Sequence, residues 1–222
     1  MSATLGTVKP FTVLVEGNIG SGKTSLLKHF AVFDDVNVLI EPVKQWRDVN
    51  GHNLLQLMYN DSERWGLMFQ SYGQLTMMQN HLGTSNRPIK LMERSIFSNH
   101  YCFAENFRQS GKMSMPEFEV LSQWFLFLTT SPLLDFKVDL IIYLRTRPEI
   151  AMGRLLDRAR GEETNVSLSY LQELHCLHDD WLIENRFPLP APVVIIDADR
   201  DMEGMMSEYT KYESIILNRP MI

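Results

Sequence analysis

The 222-residue chain is 45% hydrophobic, 22% charged and 10% aromatic, an ordinary globular composition that excludes disordered, fibrous and collagen-like classes. Its 21 basic and 27 acidic residues give a formal net charge of -6, which argues against a large nucleic-acid footprint but not against a small anion held by a few local positive groups. Two cysteines, Cys102 and Cys176, make no disulfide framework and point to a reducing compartment.

In chain order, Phe11–Glu16 is a short apolar run that reads as a strand, followed by a glycine-rich turn and a helix over 23–33. A second strand is expected over 36–41, then helices over 54–59 and 63–81. The third strand is Ile89–Glu93, with helices over 98–110 and Met115–Thr130 behind it. A fourth strand over 138–144 leads into a helix over 148–160, opened by Thr146-Arg147-Pro148-Glu149, which reads as a capping box with proline at the first helical position. A helix over 168–184, the strand Val193–Asp197 and a helix over 202–217 complete the chain. Most of the strands are continuous apolar runs, as expected of strands covered on both faces. Strands separated by helices predict a parallel sheet in a single α/β domain over 1–222.

Helix 118–129 is apolar almost all round, so it is either a central core helix or a subunit contact. No apolar run approaches the ~20 residues of a membrane span. The first ten residues lack the apolar core of a signal peptide and the arginines of a transit peptide, although a cleaved presequence would leave no trace.

Residues 17–24, Gly-Asn-Ile-Gly-Ser-Gly-Lys-Thr, match the P-loop pattern between a strand and a helix. Gly17, Gly20 and Gly22 let the backbone N–H groups of Asn18, Ile19, Ser21 and their neighbours curl around one anion. Lys23 reaches the outer phosphates of a nucleoside triphosphate, and the Thr24 hydroxyl is a ligand for Mg²⁺. Other strands end in Glu41-Pro42, in Glu93-Arg94-Ser95 and in Asp197-Ala198-Asp199. In an open parallel sheet these ends share the ligand edge. Glu41, held extended by Pro42, is a candidate base or metal ligand.

Beyond the fourth strand, Arg145, Arg147, Arg154, Arg158 and Arg160 precede Gly161-Glu162-Glu163. This local positive run suits an arginine lid that closes on a triphosphate. Gln70, Gly73 and Met77 share one face of their helix, and Asn99, Phe103 and Phe107 share one face of theirs. The two amides are what a plain core does not explain, and a heterocyclic base would partner them. His175 and His178 read as surface residues on an exposed helix rather than as metal ligands.

Together GNIGSGKT, EPVKQW, MERS, RARGEE, LMYNDSERWG, QLTM, DLIIYLRT, the segment 170–183 and the late DAD resemble the deoxynucleoside kinase family over nearly the whole chain. The chain resembles most its insect multisubstrate and mitochondrial thymidine kinase branches. The resemblance implies a P-loop NTPase-type, five-stranded parallel sheet flanked by helices, with an arginine-rich lid at about 154–166. It implies transfer of the γ-phosphoryl group of ATP, with Mg²⁺, to the 5′-hydroxyl of deoxynucleosides for nucleotide salvage, thymidine and deoxycytidine being preferred and purines accepted. By resemblance Glu41 is the general base, Arg94 its partner near the reacting oxygens, and Glu93 and Thr24 the metal-associated positions. Gln70 reads the base edge and Phe103 stacks on the base. Trp46, Leu55, Phe69, Met77 and Phe107 line the cleft, and Tyr59 with Glu163 holds the sugar 3′-hydroxyl. Arg154, Arg158 and Arg160 are the lid arginines. A homodimer in an intracellular compartment, cytoplasm, nucleus or mitochondrion, is implied, with neither a nucleic-acid polymer nor a membrane as partner.

The chain departs from the family pattern at Asn99-His100, where relatives usually have Ala-Arg, and at Gly73, where a bulkier residue is common. Purine-preferring relatives carry an arginine and an aspartate near the Met77 and Asn99 positions. Gly73 is therefore expected to enlarge the pocket, with Asn99 adding a donor and an acceptor. Two other classes compete. A GTPase-like switch would use VVIID at Val193–Asp197 and DMEG at 201–204, and a catalytically dead nucleotide-binding protein would need neither Glu41 nor Arg94. Nucleoside-stimulated ATP turnover separates the three.

Overall fold

A computed structural model describes residues 9–218; residues 1–8, where part of the targeting-signal reading falls, and 219–222 lie outside the described residues. Strands β1 (Phe11–Glu16), β2 (Val36–Leu39), β3 (Ile89–Glu93), β4 (Leu140–Arg145) and β5 (Val193–Asp197) form one sheet in the order β2-β3-β1-β4-β5. Every pairing is parallel, as the alternation of strands and helices predicted. The helices are α1 (Lys23–Phe30), α2 (Val43–Arg47), α3 (Leu54–Asn60), α4 (Ser62–Leu82), α5 (Ile96–Ser98), α6 (Glu105–Gln109), α7 (Met115–Thr130), α8 (Pro148–Arg158), α9 (Leu168–Leu182) and α10 (Met202–Ile216). A π turn over Asn99–Ala104 joins α5 to α6.

Alternate residues of each strand face opposite sides of the sheet. Val13, Val15, Leu91, Ile142 and Leu144 pack with Leu26, Leu27 and Phe30 of α1 and Met205 and Tyr209 of α10. Leu14, Met92, Ile141 and Tyr143 pack on the other face with Trp46, Phe69, Leu171 and Trp181. Glu16 shares the Leu14 side of β1 and is fully buried. Helix starts are fixed by side chains that accept the first free N–H groups: Asn53 for α3, Asp61 for α4, Ser167 for α9 and Asp201 for α10.

Several expectations change. β2 stops at Leu39, because Ile40 and Glu41 run past its last register partner, Met92. Pro42 lies past the strand and starts a helix instead: its carbonyl accepts from Gln45 and Trp46 N–H, opening α2, which the sequence reading lacked. The capping box at Thr146 is absent. Arg147 is the N-cap of α8, with Pro148 as first helical residue, and its N–H donates to Asp199 Oδ1 at 2.8 Å. His178 is no surface residue; it is fully buried and stacked on Tyr143, and burial lowers its pKa to about 3.

Helix α7 buries Leu121 and Phe125 only, leaving Val120, Trp124 and Phe127 57%, 56% and 60% exposed. The central-core reading of this helix therefore fails. Among the described residues no helix is long and apolar enough to cross a membrane.

Candidate active site

The carboxyl ends of β1 and β3 are in register, Val15 opposite Glu93, so the P-loop and the Glu93-Arg94-Ser95 turn lie side by side. Gly20 adopts φ 79°, and a Cβ there would stand 2.5 Å from the Ala151 carbonyl oxygen, so the loop needs glycine both for its turn and for its approach to α8. Asn18 braces the loop through Nδ2 to Leu171 O at 2.8 Å, and its Oδ1 accepts Ile19 N–H. Lys23 Nζ donates to Asn18 O at 2.7 Å and Gly17 O at 3.2 Å. Burial, then neighbouring Arg94, lowers the Lys23 pKa to about 7.

Thr24 Oγ1 donates to Glu93 Oε1 at 2.8 Å. The two expected metal positions thus meet at the loop mouth with hard oxygen donors, which suits Mg²⁺.

Arg94 occupies the left-handed region with φ 61°. That turn sends its guanidinium under the P-loop, where Nη1 donates to Gly17 O at 3.0 Å. Its Nε lies 2.7 Å from Glu41 Oε1, a close ion pair whose angle falls outside that of a hydrogen bond. The guanidinium also lies 4.5 Å from the Phe103 ring centroid. Burial acts to lower the Arg94 pKa, but Glu41, Glu16 and Glu93 outweigh it and hold it raised. Glu16 was not among the sequence candidates, although it ends β1 as Glu93 ends β3. Its Oε1 accepts the Ser95 hydroxyl at 2.5 Å, and Ser95 in turn caps α5 by accepting from Phe97 and Ser98 N–H. Burial raises the Glu16 pKa to about 7.

Next to these charges an apolar cleft opens. Trp46, Leu55, Tyr59, Phe69, Gln70, Met77, Asn99, Phe103 and Glu163 all line it, and Lys23, Thr24, Glu41, Glu93 and Arg94 form its charged end. Tyr170 and Met58, absent from the sequence candidates, line it too. Trp46 is fixed by Nε1–H to Thr76 Oγ1 at 2.9 Å and meets Phe69 edge-on. Burial pushes the Tyr59 phenol well above its usual range.

Phe107 does not line this cleft. The π turn at Asn99–Ala104 is wider than an α turn, so residues after it lose the expected four-residue stacking. Phe107 instead packs on Gly66 of α4, where a Cβ would come within 2.8 Å of its ring. Gly73 does not enlarge the cleft either. The Asn99 amide fills the space beside it, 2.8 Å from where a Cβ would be, and donates from Nδ2 to Gln70 Oε1 at 2.9 Å.

A second cavity on the other side of the P-loop is lined by Gly20 to Ser25, Arg154, Arg158, Arg160 and Arg200. Arg154 Nη2 donates to Arg200 O at 2.6 Å. Arg158 and Arg160 lie between the two cavities and both pair with Glu163, at 2.5 and 3.3 Å. The neighbouring Glu162 forms a two-pronged pair with Arg47 of α2, at 2.7 and 2.8 Å, which ties this arginine-rich segment to the wall of the apolar cleft. Arg145 and Arg147 line neither cavity; they pair with Asp179 and Asp199.

A deoxynucleoside kinase family model matches residues 13–218. Human mitochondrial thymidine kinase 2 is 48% identical over 210 residues, covering 94% of this chain and 78% of that protein. A probable deoxycytidine kinase of fowlpox virus is 35% identical over 209 residues, covering 93% and 85%. Human deoxycytidine kinase is 30% identical over 235 residues, covering 92% and 87%. With a triphosphate loop opening directly onto an apolar cleft and this similarity running through both, the chain belongs to the deoxynucleoside kinase family and is an ATP-dependent deoxynucleoside kinase.

Proposed function

We propose that the chain, acting as one catalytic domain with a lid at about 154–166, transfers the γ-phosphoryl group of ATP to the 5′-hydroxyl of thymidine and deoxycytidine. The carrying observation is the Glu41–Arg94 pair, set between a P-loop carbonyl and the aromatic cleft. A 5′-hydroxyl over Glu41 gives up its proton to the carboxylate as its oxygen bonds to phosphorus and the bond to the β-phosphate oxygen breaks. Lys23, Arg154, Arg158 and Arg160 neutralise the phosphate charge. Thr24 and Glu93 would hold Mg²⁺, which when bound adds its own charge to that neutralisation. Phe103 stacks on the base and Gln70 pairs with its edge. Purine deoxynucleosides rank behind the pyrimidines, because the space beside Gly73 holds the Asn99 amide. The test is ATP turnover with each of the four deoxynucleosides. Turnover only with nucleoside, strongest with the pyrimidines, supports the reading. Nucleoside-independent turnover favours a switch ATPase, and none favours a dead binding protein.

Sugar selection follows from the cleft wall. Tyr59 and Glu163 both line it, and a 3′-hydroxyl between them would partner both. A 3′-deoxy analogue of thymidine should lose about 1–3 kcal/mol, roughly 5- to 150-fold in kcat/KM. Equal values for the two substrates would place the sugar elsewhere.

The exposed Trp124 of α7, whose ring meets that of exposed Phe127, lines a groove with Leu75 and Met78 of α4. Apolar surface of this kind is rare on a monomer, which supports the homodimer reading. The double variant Trp124→Glu, Phe127→Glu should sediment as a folded monomer where the parent sediments as a dimer; a parent that is monomeric rejects the interface. An intracellular site of action, including the mitochondrion named for one relative, is tested by fractionating cells that carry the native protein.

A further inference from the structure

Gln70 and Asn99 are both buried, 1% and 7% exposed, on facing elements at the same wall of the cleft. Asn99 Nδ2 donates to Gln70 Oε1 at 2.9 Å, while Asn99 Oδ1 has no hydrogen-bond partner among the described residues. Both side chains are primary amides, each a donor on one arm and an acceptor on the other. Turning both by a half-turn replaces the bond with Gln70 Nε2–H donating to Asn99 Oδ1, with nothing lost in number or chemistry. The two orientations are equivalent to the pair but not to a base. Thymine offers a donor at N3 and an acceptor at its C4 oxygen; cytosine offers an acceptor at N3 and a donor at its C4 amine. One glutamine can pair with both edges only by exchanging its arms.

We propose that Asn99 is a specificity-determining partner that turns with Gln70, so that the amide pair keeps its bond in either orientation and the cleft accepts both pyrimidines. This rests on the reading that Gln70 pairs with the base edge. Gly73 is part of the device. Its backbone is ordinary helix, so it is not needed for conformation. Any Cβ at 73 would stand 2.8 Å from Asn99 Nδ2 and push the amide off Gln70. Met77, one turn further along α4, brings no donor and only a weak thioether acceptor beside the pair.

The test compares kcat/KM for thymidine and deoxycytidine in the parent and four variants, each checked for folding by thermal melting. The parent should take the two within about tenfold of each other, since neither orientation is pinned. At about pH 8 an ionised aspartate accepts but cannot donate. Asn99→Asp should therefore pin Gln70 with its amine arm inward and move the thymidine-to-deoxycytidine ratio by about tenfold or more. Asn99→Ala and Gly73→Ala remove the partner without choosing an orientation; both substrates should fall by roughly three- to tenfold, with the ratio held within about threefold. A ratio unmoved in folded Asn99→Asp overturns the proposal, as does a parent that prefers one pyrimidine by over about a hundredfold. Should Asn99→Asp fail to fold, the parent ratio and Gly73→Ala decide, and full activity in Gly73→Ala overturns it. Gln70→Leu separates the two layers. Loss of both pyrimidines with an unmoved Asn99→Asp ratio sinks only the coupled turn, whereas full activity in Gln70→Leu sinks the base-reading role and the proposal with it.

Discussion

Replacing Glu41 by Gln should lower kcat by about 10²-fold or more while leaving nucleoside binding within about threefold. The side chain is held from both ends. Its backbone sits just past β2, with Glu41 O accepting from Val43 N–H at 2.8 Å, and its carboxylate faces the Arg94 guanidinium at 2.7 Å. Glutamine keeps the shape and one acceptor but has no useful basicity, so the loss should fall on the chemical step. The fold should survive, because Glu16 and Glu93 remain to balance Arg94. Single-turnover rates with thymidine, read beside equilibrium binding, give the answer. A chemical step within a few-fold of the parent removes Glu41 from proton transfer.

Glu41, Glu93 and Arg94 were legible in the sequence because each lies at or just past the carboxyl end of a strand, and a parallel sheet brings those ends to one edge. The P-loop was legible because its glycines, lysine and threonine are adjacent in the chain. What escaped depended on contacts between distant elements or on local geometry with no periodic signature. The π turn at Asn99–Ala104 leaves no mark in hydrophobic spacing, yet it turns Phe107 away from the cleft and onto Gly66. Helix α2 was hidden because Pro42 reads equally well as a strand stop and as a helix start. Glu16 carried the same strand-end signal as Glu41, but its partner Ser95 is 79 residues away. The Asn99–Gln70 pair bridges 29 residues, and only the closeness of the two elements reveals that Gly73 admits an amide rather than a larger base. His178 was misplaced because its burial depends on Tyr143, across the sheet-to-helix contact.

The largest expected effect belongs to Arg94. Arg94→Lys preserves the charge but not the planar fork, and a lysine can meet one of the groups around the guanidinium at a time. Arg94 now serves the P-loop carbonyl of Gly17, the carboxylate of Glu41 and the face of Phe103 together. It therefore links the P-loop, the Glu41 carboxylate and the Phe103 ring through one rigid group. A guanidinium beside a transferring phosphoryl group is worth about 10³–10⁵ in rate, so kcat/KM for Arg94→Lys should fall by about 10³-fold. Arg94→Ala is a poorer probe, since leaving buried Glu16 and Glu93 with Lys23 but without Arg94 should cost about 3–5 kcal/mol of stability and confuse rate with folding. The decisive measurement is the double-mutant cycle. If Glu41 and Arg94 act as one unit, Glu41→Gln added to Arg94→Lys should lower kcat by less than about threefold further, although alone it lowers kcat by about 10²-fold or more. Fully additive losses would show that Arg94 acts on the phosphates independently of the base. A mild Arg94→Lys phenotype, under about tenfold, would reduce the residue to a buried counterion that holds the Glu93-Arg94-Ser95 turn in place.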